Sequence, residues 1–276
     1  MLLISQTWWS GTRENPHCRK YLVDFHPTLH QSRKLYTTLQ SAHVAPEIYK
    51  LRPDYRALLM VVEGVPPGPS DDGSEALVLE AEASAKHLLA KHAVGGIPHI
   101  AAWRETYRAY AAKPQKTRNS LEALTRRAAA AGGLPRVNRP TDIYNAVSAK
   151  HQVRLGGEDP DRYDGSPFLT RASGREEFRT LSGGEAQVEC AAPGEPIWCD
   201  DAGITCRRWN WRQGPRTALT DDTTRVLFIL DALEPLSDAA LARAAEELAL
   251  ALGRLSPEGR VTQRILSALD AAGGGS

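Results

Sequence analysis

Four polar residues at a predicted helix start are the first candidates for chemistry. Residues 136–147 read Arg-Val-Asn-Arg-Pro-Thr-Asp-Ile-Tyr-Asn-Ala-Val, and Asn138 stands where an N-cap would stand, before a proline in the first turn. Thr141, Asp142 and Asn145 follow at spacings of three or four residues, which share a helix face. Beside the free backbone N–H groups of a helix start, such side chains can position water or hold an anion. The alternative is an ordinary cap with an exposed polar face.

A second candidate site has arginines interleaved with tryptophans. Residues 207–212 read Arg-Arg-Trp-Asn-Trp-Arg. A guanidinium can pair with a phosphate while an indole ring stacks on a base, which is typical of binding to a single-stranded nucleic-acid end. Strand alternation predicts Arg207, Trp209 and Trp211 on one face of a strand and the other three residues on the opposite face. The alternative is an ordinary strand with two dissimilar faces.

Basic residues also dominate residues 104–136, where eight Lys and Arg stand against two Glu. This imbalance predicts a phosphate-binding surface, and a solvated helix face is the alternative. The nucleic-acid contacts predicted from the two basic stretches are Arg104, Arg108, Lys116, Arg118, Arg126, Arg127, Arg207 and Arg208.

The overall composition narrows the class of protein. The chain has 276 residues, with 34 Lys and Arg against 33 Asp and Glu, so bulk charge does not drive binding to a polyanion. Apolar runs such as Val226–Leu230 are far too short to span a membrane. The four cysteines lack C-x-x-C spacing, and no phosphate-binding or dinucleotide-binding glycine motif is present. We therefore expect a cytoplasmic protein with free thiols, no metal and no cofactor.

Periodicity and capping residues predict an α+β fold, with helices first and strands later. The predicted helices begin near Ser74, Pro98, Asn119, Asn138 and Ser237, and a last short helix is expected over 261–271. The predicted strands cover 55–62, 178–181, 186–190, 197–199, 204–211 and 225–230.

Three regions follow from these patterns. Residues 1–43 lack a sustained helical or strand periodicity of apolar residues, and we expect them to be a poorly ordered or non-native extension. Residues 44–256 are expected to form one domain. Residues 257–276 predict a C-terminal helix and a flexible Gly-Gly-Gly-Ser tail.

An ordered series of motifs resembles a known family. The motifs are Gly133–Asn145, Gly156–Gly165, Cys199–Gly203 and Leu219–Phe228. They resemble the B3/B4 domain, the editing module within the beta subunit of bacterial phenylalanyl-tRNA synthetase. The resemblance implies that residues 44–256 form a B3/B4-like domain with its core at 119–233. No synthetase catalytic core fits in the remaining residues, so the chain is more similar to freestanding B3/B4 proteins. The resemblance implies a helical N-terminal part and a mixed or antiparallel sheet with flanking helices.

The resemblance implies metal-independent hydrolysis of the ester that joins a wrong amino acid to the 3′ end of a tRNA. Because this ester is labile, a site need mainly orient it with a water molecule and stabilise the oxyanion. The catalytic residues it implies are Asn138, Asp142, Asn145, Gly156 and Gly157. The substrate-binding residues it implies are Thr141, Glu158, Trp209, Asn210, Arg212 and Gln213.

The implied partners are a mischarged aminoacyl-tRNA, bound by the basic residues given above, and a synthetase or an elongation factor. No DNA and no membrane is expected. The sequence departs from the synthetase pattern in two places: the 153–158 stretch has a glycine about where the synthetase has a histidine, and the 209–214 stretch lacks its Gly-Gly-Glu. These departures predict an edited amino acid other than tyrosine. The alternatives are a tRNA- or amino-acid-binding module without catalysis and, last, a small-molecule hydrolase.

Overall fold

A computed structural model describes residues 36–182 and 184–269. Most of the predicted extension at 1–43, and the glycine-rich tail, lie outside the described residues. Residues 36–41 are helical, and Leu39 and Ala42 are buried in the core. The packed part of the chain therefore begins before residue 44.

Among the described residues, four helices begin at a side chain that caps them, and two others have a proline in the first turn instead, Pro46 and Pro98. Asn119, Asn138 and Ser237 each accept a hydrogen bond from the backbone N–H three residues later, which confirms these three predicted caps. Asp71, not Ser74, caps the second helix, and Ser74 completes a reciprocal capping box with it. The helices are α1 Pro46–Leu51, α2 Asp72–Lys91, α3 Pro98–Ala109, α4 Ser120–Ala129, α5 Arg139–His151 and α6 Asp238–Leu255.

Two sheets and one separate hairpin contain the strands. The strands are β1 His43–Val44, β2 Arg56–Glu63, β3 Arg154–Glu158, β4 Phe168–Arg171, β5 Glu177–Ser182, β6 Glu185–Cys190, β7 Pro196–Asp200, β8 Gly203–Arg207, β9 Arg212–Gln213, β10 Arg225–Ala232 and β11 Arg260–Ser267. The first sheet has the order β1-β4-β7-β8-β9, the second has the antiparallel order β11-β2-β10-β3, and β5 pairs with β6. The α+β fold class predicted from the sequence is confirmed.

The four-stranded sheet is buried on both faces. On one face, Leu58, Phe228 and Leu230 pack with Ile143 and Val147 of α5 and with apolar residues of α6. On the other face, apolar residues of β2 and β10 pack with the aromatic residues of α3 and with the first sheet. The molecule therefore has a helical layer, a central sheet and a second sheet, and alternate residues of each central strand belong to different layers.

The helix predicted over 261–271 is wrong. Residues Arg260–Ser267 form β11, which pairs antiparallel with β2 along its whole length. Val261 and Ile265 have helical spacing, but both pack against the helical layer from a strand. Pairing with the otherwise open edge of β2 outweighs this short local pattern.

Candidate functional site

A cleft lies between the two sheets, beside the edge strand β3. Arg154, Gly156 and Glu158 alternate along this strand and face the first sheet, whereas Leu155 and Gly157 face the helical layer. Because Gly156 has no side chain, the space in front of it is left open. The cleft is lined by Gly156, Glu158, Trp198, Cys206, Trp209, Asn210 and Ile229.

A buried polar cluster forms the base of this cleft. Asp231 is fully buried and accepts hydrogen bonds from Tyr55 Oη at 2.6 Å and from Asn210 Nδ2 at 2.9 Å. Burial raises the pKa of the Asp231 carboxyl, and the neighbouring Arg154 opposes that rise. Arg154 pairs opposite Asp231 across β3 and β10, and its guanidinium lies 4.4 Å from the centre of the Trp103 ring. The hydrogen bond to Asp231 thus holds the Asn210 side chain next to the space that the missing side chain of Gly156 leaves open.

Glu158 is the buried carboxyl group that lines the cleft. Its Oε2 accepts hydrogen bonds from Tyr163 Oη at 2.5 Å and from Thr217 Oγ1 at 2.9 Å. Burial raises the pKa of Glu158 despite these bonds. A carboxylate with a raised pKa is a better proton acceptor near neutral pH than an exposed one.

A tight turn, not a continued strand, presents Trp209 and Asn210. Strand β8 ends at Arg207, so the predicted strand 204–211 is too long and its predicted alternation stops at this turn. Arg208 and Trp209 have φ values of 48° and 69°, in the left-handed region that non-glycine residues rarely occupy. Trp209 is fully buried, in edge contact with the rings of Tyr55 and Trp103. Packing of this indole fixes the turn.

Arg207 is buried and does not face solvent, which corrects its prediction as a nucleic-acid contact. Its guanidinium donates from Nε and Nη2 to the two carboxylate oxygens of Glu195, each at 2.8 Å, and from Nη1 to Glu189 at 2.6 Å. Glu195 is also buried. The bidentate pair balances both charges inside the protein, so every nitrogen of the Arg207 guanidinium is already engaged and none is left for a phosphate.

Trp211 is the half-buried aromatic residue of the turn. The guanidinium carbons of Arg208 and Arg212 lie 4.5 Å and 5.7 Å from its ring centre. Arg208 also donates to Thr117, and its carbonyl accepts a hydrogen bond from Tyr107. The turn is therefore tied to the end of α3 and to the loop that follows it.

That loop presents positive charge beside the turn. Four exposed cations here have no ion-pair partner among residues 36–182 and 184–269. One lies at the end of α3 and three lie in the loop: Arg108, Lys113, Lys116 and Arg118. The other cations predicted from this region have partners. Arg104 and Arg126 both pair with the buried Glu122, and Arg127 donates to the carbonyl of Gly133. The phosphate-binding candidates are thus fewer than the sequence predicts.

The polar residues of α5 lie on the other side of the central sheet from Asn210. Asn138 caps the helix through Thr141 N, and Asn145 is half-buried with no hydrogen-bond partner among the described residues. Asp142 is fully buried, and its carboxylate accepts from Val137 N and Ser70 Oγ. Asp142 therefore holds two loops to the helix start and has no oxygen turned to a substrate. This corrects its predicted catalytic role.

The two predicted catalytic glycines face different layers. A β-carbon on Gly156 would lie 3.4 Å from Asn210 Oδ1, whereas one on Gly157 would lie 3.2 Å from Phe228 Cε1. The Gly157 carbonyl accepts from Gln213 Nε2 at the free edge of β3. Since backbone groups alternate in direction along an antiparallel strand, the Gly156 N–H points into the sheet and not to an oxyanion. Gly156 contributes space, and Gln213 covers the strand edge.

Sequence reasoning missed Asp231, Tyr55 and Arg154. One signal was present, because Asp231 follows five apolar residues in the strand 225–230, and a carboxyl group in a buried strand needs a partner. The identity of the partners depends on strand register, which the sequence alone does not specify.

Neither a metal cluster nor a membrane-spanning helix occurs among the described residues. No group of three or more His, Cys, Asp or Glu has a metal-binding arrangement within the described part of the chain. Over the same residues, every helix is too short or too polar to cross a membrane.

Comparisons with known proteins place the chain in a family. A search of curated proteins found no match. A crystal structure of an N-terminal fragment of the phenylalanyl-tRNA synthetase beta subunit from Pyrococcus horikoshii is 12% identical, with a TM-score of 0.40, over 82% of this chain and 50% of that chain. The chain thus spans about half the length of that fragment. The B3/4 domain model matches residues 102–251. Since this match covers more than half of its residues, the chain belongs to the B3/4 domain family.

Proposed function

We propose that this protein hydrolyses the ester bond of a mischarged aminoacyl-tRNA. The observation that carries the proposal is the cleft between Gly156 and Asn210. The turn that presents Asn210 also carries Trp211, and Arg208 of this turn is hydrogen-bonded to Thr117 of the cationic loop after α3. An ester must bring its carbonyl carbon to such a cleft to be attacked by water, and the nucleotide to which it is joined needs a ring to stack on and cations for its phosphates. Membership of the B3/4 domain family supports the same substrate class.

In this proposal, Glu158 accepts a proton from the attacking water. It is the buried carboxyl group of the cleft, and burial raises its pKa. Asn210 orients the substrate from the opposite wall, and Trp198 and Ile229 exclude solvent. The adenosine at the tRNA end stacks on Trp211, beside the guanidinium of Arg208.

The test is deacylation by the full chain of a panel of correctly charged and mischarged tRNAs. We expect rapid release of one non-cognate amino acid. Glu158→Gln is expected to lower turnover by about 100-fold or more while leaving tRNA affinity near its original value. No release from any member of the panel would contradict the proposal.

One observation favours a second function, a binding module without catalysis. Glu158 Oε2 already accepts two hydrogen bonds, and no histidine is among the described residues that line the cleft. Tight binding of aminoacyl-tRNA without turnover, in the same panel, would support this alternative over the hydrolase.

The four exposed cations give a separate prediction about tRNA binding. Replacing Arg108, Lys113, Lys116 and Arg118 with alanine removes the positive charges beside the turn that have no ion-pair partner among the described residues. We expect weaker tRNA binding and a shallower dependence of log Kd on log salt, by roughly 0.7–0.9 for each phosphate that is no longer neutralised. Fluorescence anisotropy at several salt concentrations measures both.

A matched control removes the same charge from the helical layer. Lys86, Lys91, Arg243 and Arg254 are exposed on α2 and α6, away from the turn. Equal effects of the two quadruple variants would show that tRNA responds to net charge and not to this surface.

A further inference from the structure

The amide of Asn210 has a defined orientation. Its Nδ2 donates to Asp231 Oδ2 at 2.9 Å, and Tyr55 donates to the other carboxylate oxygen at 2.6 Å. An ionised carboxylate only accepts hydrogen bonds, so the amide must turn its NH2 group to Asp231. Asn210 Oδ1 therefore faces the cleft, 3.4 Å from where a β-carbon of Gly156 would lie.

Arg154 is the buried cation that favours the ionised form of Asp231, against the effect of burial on the pKa of that carboxyl. It is fully buried and stands opposite Asp231 in the β3–β10 register. Its two terminal guanidinium nitrogens have no hydrogen-bond partner within the described part of the chain. The charge of Arg154 therefore acts on Asp231 across the two strands without a hydrogen bond from these nitrogens.

Two side chains of the cleft offer hydrogen-bond acceptors. Asn210 Oδ1 is on one wall, and the carboxylate of Glu158 lies two residues beyond Gly156 on the same face of β3. The other lining side chains are Trp198, Cys206, Trp209 and Ile229, and the two indole N–H groups are donors that have no hydrogen-bond partner within the described part of the chain. A small cleft with a neutral acceptor and a carboxylate is suited to an ammonium group.

We propose that Asp231 is a positioning residue that turns the Asn210 acceptor toward the cleft, where Asn210 Oδ1 binds the free α-ammonium of the substrate. The site therefore selects esters of amino acids whose amine is unblocked. Acylation removes the positive charge and two donor hydrogens, and it adds bulk next to Asn210 Oδ1 in a small cleft. This inference rests on the proposed function, and it extends it by excluding N-acylated aminoacyl-tRNA.

Two pairs of ligands test the inference with the full chain. The first pair is an aminoacyl-tRNA and its N-acetyl form, compared by deacylation. The second pair is a 3′-aminoacylamino-adenosine and its N-acetyl form, whose amide bond resists hydrolysis, compared by calorimetry. We expect the unaltered protein to prefer the free amine by about tenfold or more in both pairs.

Asp231→Asn is expected to remove this preference. The new amide can donate to Asn210 Oδ1, which lets the Asn210 amide turn its NH2 group to the cleft. The KM for aminoacyl-tRNA should then rise more than kcat falls. Tyr55→Phe is the matched control, because it removes the other bond to Asp231 and leaves Asn210 held, so the preference should remain.

Asn210→Leu serves as the second variant if Asp231→Asn does not fold. Asn210 is half-buried on the turn, and leucine removes the acceptor while keeping a similar size. The inference is overturned if folded variants at either position keep the full preference for the free amine. Because the adenosine analogues report binding alone, that outcome is distinct from an absence of hydrolysis, which would overturn the proposed function.

Discussion

Replacing Gly156 with valine is expected to lower deacylation by about 100-fold or more while the protein stays folded. A β-carbon at this position already reaches 3.4 Å from Asn210 Oδ1, and the two methyl groups of valine would extend into the cleft. Valine is favourable in a strand, so β3 itself should tolerate it. Steady-state deacylation measures the loss of activity, and a thermal unfolding curve for the same sample shows whether the protein stays folded.

Gly157→Val is the matched control for that change. Its β-carbon would lie 3.2–3.3 Å from side-chain atoms of Phe228, Leu219 and Tyr144, on the side of β3 that faces the helical layer. We expect a loss of about 1–3 kcal/mol in the free energy of unfolding, because the added methyl groups overpack this layer. If Gly156→Val kept its activity, the cleft would not be the site of the reaction.

Replacing Arg207 with methionine is expected to lower the free energy of unfolding by about 3–5 kcal/mol. The change leaves Glu195, which is buried, with the 3.3 Å ion pair to Arg208 and a 3.4 Å hydrogen bond from Ala192 N. A buried carboxylate without its bidentate partner loses its charge balance and two hydrogen bonds. Chemical denaturation measures the loss.

Arg212→Met removes an arginine–carboxylate ion pair at a position where solvent screens the two charges. Arg212 is half-exposed and pairs with Glu189, which also contacts Arg207. A loss of no more than about 1 kcal/mol is expected there. A stable Arg207→Met variant with weakened tRNA binding would contradict the assignment of Arg207 to the interior.

The elements that a local signal encodes could be predicted from the sequence. Asn119, Asn138 and Ser237 indicate helix starts, because a cap needs only the side chain and the next turn of backbone. The apolar strand at 225–230 and the hairpin closed near 182–185 are equally local. Family motifs then indicate the fold class, which the structure confirms.

The candidate site could be predicted only in part, because strand register decides it. Gly156 and Gly157 are neighbours in sequence, yet pairing of β3 with β10 sends them to different layers. The same pairing sets Arg154 opposite Asp231, a contact over 77 residues that no spacing rule gives. The prediction that Arg207 contacts nucleic acid is wrong because its buried partner, Glu195, comes from another segment. Basic residues count as phosphate contacts only once their carboxylate partners are known.

The turn that carries Asn210 also constrains how this site can change during evolution. Arg208 and Trp209 hold left-handed backbone conformations that cost of order 1–3 kcal/mol each, and burial of the Trp209 indole offsets that cost. The backbone shape of this turn is therefore set by packing in the core and does not depend on a ligand. Asn210 and Trp211 are half-buried, so replacing them should cost less folding free energy than replacing the fully buried Trp209. We therefore expect changes in what the site binds to arise at these two positions, whereas a change at Trp209 would disturb the turn itself.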